Sequence, residues 1–397
     1  MGLDLQRYIS RRLENQVHHS LLSFPVTAIL GPRQCGKSTL AKTVLQGRAD
    51  TVYLDLESPS DLRKLEDPEF FFATQREKLI CIDEIQRVPE LFPIIRVAVD
   101  GQRRPGKFLI LGSASQDLIR QSSETLAGRI HYLELTPFCL DELLAAGLAG
   151  KDDYLRIWVR GGFPDSVTAP SEKVSFEWRT DFIRTFLERE IPQFGFSIPA
   201  LTLRRFWTML AHSHGQMLNA SKIGQSLGFS SPTIRGYLDI MAQTFMVRVL
   251  PPFHANVKKR LIKSPKVYLR DSGILHALLE IEELEGLLGH PVVGNSWEGW
   301  CMEQIISMMS QWRPYFYRTS SGEEIDLVLE RGRRRLAFEF KSSMAPKVSR
   351  GFPGSVEILQ PEQTWIVAPV ADSYPLMPGV EVASIAAVLS RLRHDFM

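Results

Sequence analysis

The stretch GPRQCGKS places Gly31 and Gly36 five positions apart, with Lys37 and Ser38 directly after. Glycines at that spacing let successive backbone N–H groups curl around phosphate oxygens, and a helix N-terminus behind them favours an anion. Lys37 then reaches the β- and γ-phosphates and Ser38 ligates magnesium. The expected nucleotide contacts are Gly31, Pro32, Arg33, Gln34, Cys35, Gly36, Lys37, Ser38 and Thr39. LICIDEIQ supplies the complementary half: an apolar strand with Asp83 and Glu84 at its carboxyl end, where open α/β sheets place ligands. Asp83 would hold the magnesium shell, and Glu84 would orient and deprotonate an attacking water. A third apolar run, FLILGSAS, ends in small polar residues. Ser113 could bond the water or the γ-phosphate, with Ser115 as second choice and a plain turn as the alternative. The chemistry implied is phosphoryl transfer from ATP with Mg2+.

A second set lies in IDLVLERGRRRLAFEFKSS, Ile325–Ser343. Folded about Gly332-Arg333, the stretch puts Ile325, Leu327 and Leu329 opposite Phe340, Phe338 and Leu336. Asp326 then lands opposite Glu339, with Lys341 two residues on. Like charges directly opposite each other destabilise a sheet, unless a divalent cation sits between them. Hard oxygen ligands suit Mg2+ or Mn2+. Lys341, on the face of Glu339, would activate a water for phosphodiester attack beside the metal. In the helix around Trp297–Met309, the inward stripe is Trp297, Trp300, Cys301, Ile305 and Met308. Glu298 sits at its edge and is the expected further metal ligand, while Glu303 points nearly opposite and is expected at the surface. Two alternatives compete. One is a solvent-facing hairpin pairing Glu324 with Lys341 and Glu330 with Arg335. The other is a fold that keeps the site's shape without cutting.

These groups need elements to hold them. Short apolar runs separated by helical-period stretches (TAILG, TVYLDLES, KLICIDEIQ, KFLILGSAS) have the rhythm of a parallel α/β sheet. From about residue 150 the pattern turns helical, and near 290 a second α/β pattern begins. The expected domains are 1–150, 151–289 and 290–397. With 397 residues, 44% hydrophobic and 23% charged, the chain fits a soluble multidomain protein. A net charge of +2 leaves any nucleic-acid contact to local patches. The four cysteines, Cys35, Cys81, Cys139 and Cys301, lie far apart, which fits a reducing cytoplasm rather than a disulfide framework or a zinc site. No apolar run reaches the roughly 18 residues that a membrane helix needs, and the charged, amphipathic N-terminus is no signal peptide.

In the middle unit, LNASKIGQSLGFSSPTIRGYLDIMAQTF has helix–turn–helix spacing. Ser230 or Ser231 caps its second helix and Pro232 falls in the first turn. Ile234, Tyr237, Leu238, Met241 and Phe245 form the apolar stripe, and Thr233, Arg235 and Asp239 point outward. The stretch Arg248–Arg270 follows as a wing, with Arg248, Lys258, Lys259, Arg260, Lys263, Lys266 and Arg270 and no acid. Such a run suits DNA phosphates, with a solvated basic hairpin or packing against the first domain as alternatives. His212 and His214 are expected to be structural.

GPRQCGKSTL, IDEIQ, LGSAS, AGR and GGFP together resemble the AAA+-type P-loop ATPases of bacteria and archaea that carry a C-terminal nuclease-like domain. GNSWEGWCMEQI and GEEIDLVL…FEFKSS resemble that second domain, of the PD-(D/E)xK superfamily. The resemblance implies an α/β multidomain protein: an AAA+ ATPase core, a helical and winged-helix middle domain, and a restriction-endonuclease-like α/β domain. It implies ATP hydrolysis but no settled process; DNA as partner is the expectation from the basic stretch and the helix–turn–helix spacing. Arg129 in AGR would enter a neighbour's site in a ring ATPase, making a homo-oligomer, even a hexamer, the expected assembly; a surface salt bridge is the alternative. Cys35, where an aliphatic residue is expected, and Ser38, where Thr is commoner, are the departures. The competing class is a nucleotide-switched scaffold whose nuclease-like and winged-helix domains are interaction modules.

Overall fold

The computed structural model describes residues 8–113, 126–150, 153–253 and 264–396. Ser115 and the basic residues Lys258, Lys259, Arg260 and Lys263 lie outside the described residues. The chain divides into two compact units. The first is Met1–Phe138 with Gln243–Phe245, and the second is Cys139–Ala242 with Met246–Met397.

In the first unit, β1 (Val26–Leu30), β2 (Thr51–Asp55), β3 (Leu79–Asp83), β4 (Phe108–Gly112) and β5 (Ile130–Glu134) form a parallel sheet in the order β2-β3-β4-β1-β5. Every residue of β1, β3 and β4 is buried, the pattern of strands covered on both faces. Side-chain alternation sorts their residues into two cores. Ala28, Leu30, Ile80, Ile82, Phe108 and Ile110 pack with Leu91, Phe92, Ile95 and Val99 of the helix Leu91–Gly101. Ile29, Leu79, Cys81, Leu109 and Leu111 pack with Val17 and Leu21 of the helix Leu13–Ser23 and with Leu40, Ala41 and Val44 of the helix Lys37–Leu45. The register Leu30↔Gly112 and Ile82↔Ile110 sets the carboxyl ends of β1, β3 and β4 side by side. Gly31, Asp83 and Ser113 therefore emerge on one edge.

The second unit begins with helices and then runs helix Ala200–His212, β6 (Gln216–Met217), helix Ala220–Leu227, helix Ser231–Gln243, β7 (Val247–Leu250) and β8 (Lys266–Leu269). The three strands are antiparallel in the order β6-β8-β7. The helix Val293–Met308 follows, and then a six-stranded mixed sheet of β9 (Arg313–Arg318), β10 (Glu324–Arg331), β11 (Arg334–Phe340), β12 (Gln363–Val367), β13 (Tyr374–Met377) and β14 (Val380–Ala383), in the order β13-β14-β12-β11-β10-β9. The helix Phe352–Leu359 lies between β11 and β12 in the chain. The β10–β11 hairpin pairs Leu327 with Phe338, Leu329 with Leu336 and Glu330 with Arg335, turning at Gly332 with φ 64°.

One surface expectation fails. Glu303 is 8% exposed, where Arg248 and Arg270 pair with its carboxylate. The helical-wheel reading assumed one wet face, but the helix Val293–Met308 is buried on nearly all sides, Ser296, Met302 and Gln304 included.

Among the described residues no helix is long and apolar enough to cross a membrane.

Candidate functional sites

The first candidate site lies where β1, β3 and β4 end. After Leu30 the loop turns through Gln34 and Gly36, at φ 59° and 99°, into the helix that opens with Lys37. Pro32 and Cys35 are buried, Ser38 and Arg33 partly so, and Gln34 and Thr39 face solvent. Lys37 is 5% exposed, and its Nζ donates to the carbonyls of Gly31 (3.0 Å) and Pro32 (2.8 Å). Burial pushes the Cys35 thiol up, which suits an inert packing residue rather than a nucleophile.

Asp83 accepts from the Tyr53 hydroxyl through Oδ2 (2.5 Å) and from the Glu84 N–H through Oδ1 (2.9 Å). Burial first, then that carboxylate, pushes the Tyr53 hydroxyl up, while a hydrogen bond from Ser38 works the other way. The Tyr53 oxygen thus links Ser38 with Asp83. Glu84 stands in the left-handed region, φ 55° and ψ 45°. Its Oε2 accepts from Ser113 Oγ (3.2 Å) and from Gln86 Nε2, and Gln86 Nε2 also reaches Ser113 Oγ (2.8 Å). Arg33 approaches Glu84 at 3.8 Å and pairs with Glu57 at 3.3 Å. Arg129 forks onto Asp100, at 2.6 and 3.0 Å.

Three residues that the motifs did not assign support this edge. Tyr53 sits in the strand Thr51–Asp55, outside every motif. Gln86 stood inside IDEIQ without a role. Arg11, 4% exposed, donates to the carbonyls of Cys35 (2.8 Å) and Thr136 (2.6 Å), so it braces the phosphate loop from a distant part of the chain. The hard-oxygen set of Ser38 and Asp83, already tied through one hydroxyl oxygen, fits a magnesium ion.

The second candidate site lies in the second unit. Asp326 and Glu339, 8% and 6% exposed, sit on adjacent strands as the hairpin alternation requires. Asp326 Oδ2 accepts the Phe340 N–H (3.0 Å), and Lys341 Nζ bonds Glu339 Oε1 (2.7 Å). Glu298 joins them, and burial with the Asp326 charge raises Glu298 to about 7 and Glu339 to about 8. Glu324 pairs with Lys266 and Arg318 rather than with Lys341.

The expected metal set of Glu298, Asp326 and Glu339 has a lysine beside it. Lys266 Nζ, from β8, lies 3.1 Å from Glu298, 2.7 Å from Glu324 and 3.8 Å from Asp326. Burial opposes its charge, yet these acids more than offset that and push the ammonium's pKa up. Among the described residues no group of three or more His, Cys, Asp or Glu side chains is arranged to hold a metal ion. With Lys266 in place, its positive charge lies where Mg2+ or Mn2+ would have to sit. Lys266 had been grouped with the wing cations. Lys266 is instead buried against acids, and the half-buried Arg248 and Arg270 pair with Glu303, so these three are already engaged within the unit.

Three family models match the chain: "AAA domain" over residues 23–144, "Domain of unknown function (DUF8612)" over 151–285 and "Domain of unknown function (DUF4143)" over 293–388. The Walker-type ATPase PABY2304 of Pyrococcus abyssi superposes with a TM-score of 0.50 at 16% identity, covering 68% of this chain and 96% of that one; this is a likeness of fold. Fold and phosphate loop together define a P-loop ATPase domain of the AAA type. The chain is 40% identical over 385 residues to the uncharacterized proteins Rv2008c of Mycobacterium tuberculosis and Mb2031c of Mycobacterium bovis, across 97% of its own length and 85% of theirs. It belongs to the family of these two proteins.

Proposed function

We propose that the first unit binds and hydrolyses ATP and that the nucleotide cycle acts on DNA held by the second. The observation that carries the first part is the Glu84–Gln86–Ser113 hydrogen-bond set at the strand edge shared with Lys37 and Asp83. It aims one carboxylate at the place where a γ-phosphate bound by the loop would meet water. Lys37 exchanges its two carbonyl partners for phosphate oxygens, and the loop's N–H groups hold the rest of the phosphate chain. Ser38 and Asp83 would hold magnesium, which when bound offsets phosphate charge. Glu84 orients the water and takes its proton, with Ser113 and Gln86 fixing the carboxylate. Lys37→Ala is expected to abolish ATP binding. Glu84→Gln is expected to keep binding and to lose about 100-fold or more in phosphate release. Rapid hydrolysis by Glu84→Gln would remove Glu84 as the base. A homo-oligomer with Arg129 acting in trans, a hexamer in ring form, is the matching assembly.

Topology supports the DNA half. The order helix–strand–helix–helix–strand–strand with β6-β8-β7 pairing suits a winged helix. The segment carrying Lys258, Lys259, Arg260 and Lys263 joins β7 to β8, and Arg235 is exposed on the second helix of the turn. Replacing Lys258, Lys259 and Arg260 by Gln is expected to weaken DNA binding and to lower the slope of log affinity against log salt by about 3. Unchanged affinity and slope would remove this surface. The order helix, three strands, helix, strand over Val293–Val367 supports a restriction-endonuclease-like fold for the last part. That fold reads here as a binding module rather than a cutting centre, because Lys266 and Lys341 lie against its carboxylates.

A further inference from the structure

Four carboxylates from three elements converge in the second unit: Glu298 from the helix Val293–Met308, Glu324 and Asp326 from β10, and Glu339 from β11. Lys266 Nζ reaches three of them, at 3.1, 2.7 and 3.8 Å. An ammonium has three donors and no acceptor; Glu298 and Glu324 lie within hydrogen-bond distance of it, and Asp326, at 3.8 Å, is an ion-pair contact. We propose that the Lys266 ammonium is the resident cation of this cluster and holds the place of a divalent ion, so that the cluster takes up no metal while β8 is seated.

The lysine is not a loose surface arm that happens to fall there. Its side chain is 5% exposed, and its backbone pairs with Met217 on one side and Leu250 on the other. Two residues along, the Tyr268 hydroxyl donates to the same Glu298 oxygen at 2.5 Å. Two further along, Arg270 bonds Glu303 at 3.2 Å. The strand β8 is thus fastened at successive points to one helix, and the ammonium is delivered into the cluster by that fastening. A magnesium or manganese ion needs oxygen ligands at roughly 2.0–2.2 Å with near-octahedral access. Any position that close to Glu298 and Asp326 lies beside a buried positive charge, and the two cations would repel through a poorly screened medium. Removing the ammonium reverses the balance. Glu298 would lose one of the two donors on its Oε1, Asp326 would lose the positive charge 3.8 Å away, and buried Glu339 Oε2, which has no hydrogen-bond partner among the described residues, would complete the set. That hard-oxygen set suits a divalent ion. The inference stands whether or not the second unit binds DNA.

The test titrates Mn2+ into the full chain without nucleotide, in an Asp83→Asn background that silences the phosphate-loop metal site. Free Mn2+ is read by electron paramagnetic resonance and the melting temperature is followed alongside. The expected result is no uptake and an unmoved melting temperature for this parent. Adding Lys266→Met is expected to give one-to-one uptake and a melting temperature that rises with Mn2+, both lost when Asp326→Asn is added. Should Lys266→Met not fold, Lys266→Met with Glu324→Gln, which removes one charge of each sign, takes its place. Mn2+ uptake by the parent that Asp326→Asn abolishes would overturn the proposal. So would a folded Lys266→Met protein that takes up no ion.

Discussion

At Gly31 two demands meet in one residue. A glycine there lets the backbone approach phosphate, which is what the motif expresses. The fold adds that a Cβ at this position would stand 2.1 Å from the carbonyl oxygen of Leu135, just past β5. Gly31→Ala is therefore expected to cost about 1–3 kcal/mol of stability through overpacking and to weaken ATP binding together with it, as read by urea unfolding and nucleotide titration. An intact stability with lost binding would show that only the phosphate demand matters. Glu84 illustrates the converse. Its left-handed backbone, φ 55°, costs of order 1–3 kcal/mol in a non-glycine residue, and the partners Ser113 and Gln86 hold the carboxylate that this conformation presents. The roles of Lys37, Ser38, Asp83 and Glu84 were legible because the groups that act together are near neighbours in the chain. Arg11 was not, since its partners Cys35 and Thr136 lie 24 and 125 positions away.

At the level of elements, alternation in β10 and β11 was enough to set the register and to put Asp326 beside Glu339. Lys341, two residues on, answers Glu339, but the ammonium beside Asp326 was not readable there, because it arrives on β8. The helix Val293–Met308 shows the same limit. Its sequence has an apolar stripe, yet the fold buries most of its circumference, and Glu303 becomes the shared partner of Arg248 and Arg270. Those two arginines hold the Glu303 carboxyl below its usual range, against the effect of burial. Glu303→Gln leaves two half-buried guanidinium groups without their counter-charge and is expected to cost about 2–4 kcal/mol, somewhat less than a fully buried pair. Chemical denaturation checks this, and a loss below about 1 kcal/mol would mean that water already serves the arginines.

At the level of the whole molecule, stability should carry a histidine signature. Burial lowers His214 and His276 from 6.5 to about 3. His214 accepts the Leu269 N–H, and His276 lies between Ser296 and the Val159 carbonyl. Their folded pKa values lie below the unfolded ones, so the unfolded chain binds more protons between those limits. Stability is full above 6.5 and is lost as pH falls towards 3, each histidine contributing about 1.4 kcal/mol per pH unit inside the window. His276→Asn is expected to remove one such share from the slope of unfolding free energy against pH, measured by urea titration, and an unchanged slope would show that this histidine is not buried neutral. All four cysteines are buried, and none of them is in a disulfide. Taken by itself, the sequence determined the strands, the phosphate loop, the acids that follow it and the hairpin register, because each depends on local spacing and side-chain period. Only the tertiary structure decided what neutralises the second carboxylate cluster, which positive residues are buried and which support the loop. Those outcomes rest on charges and backbone groups far apart in the chain, whose meeting no local pattern encodes.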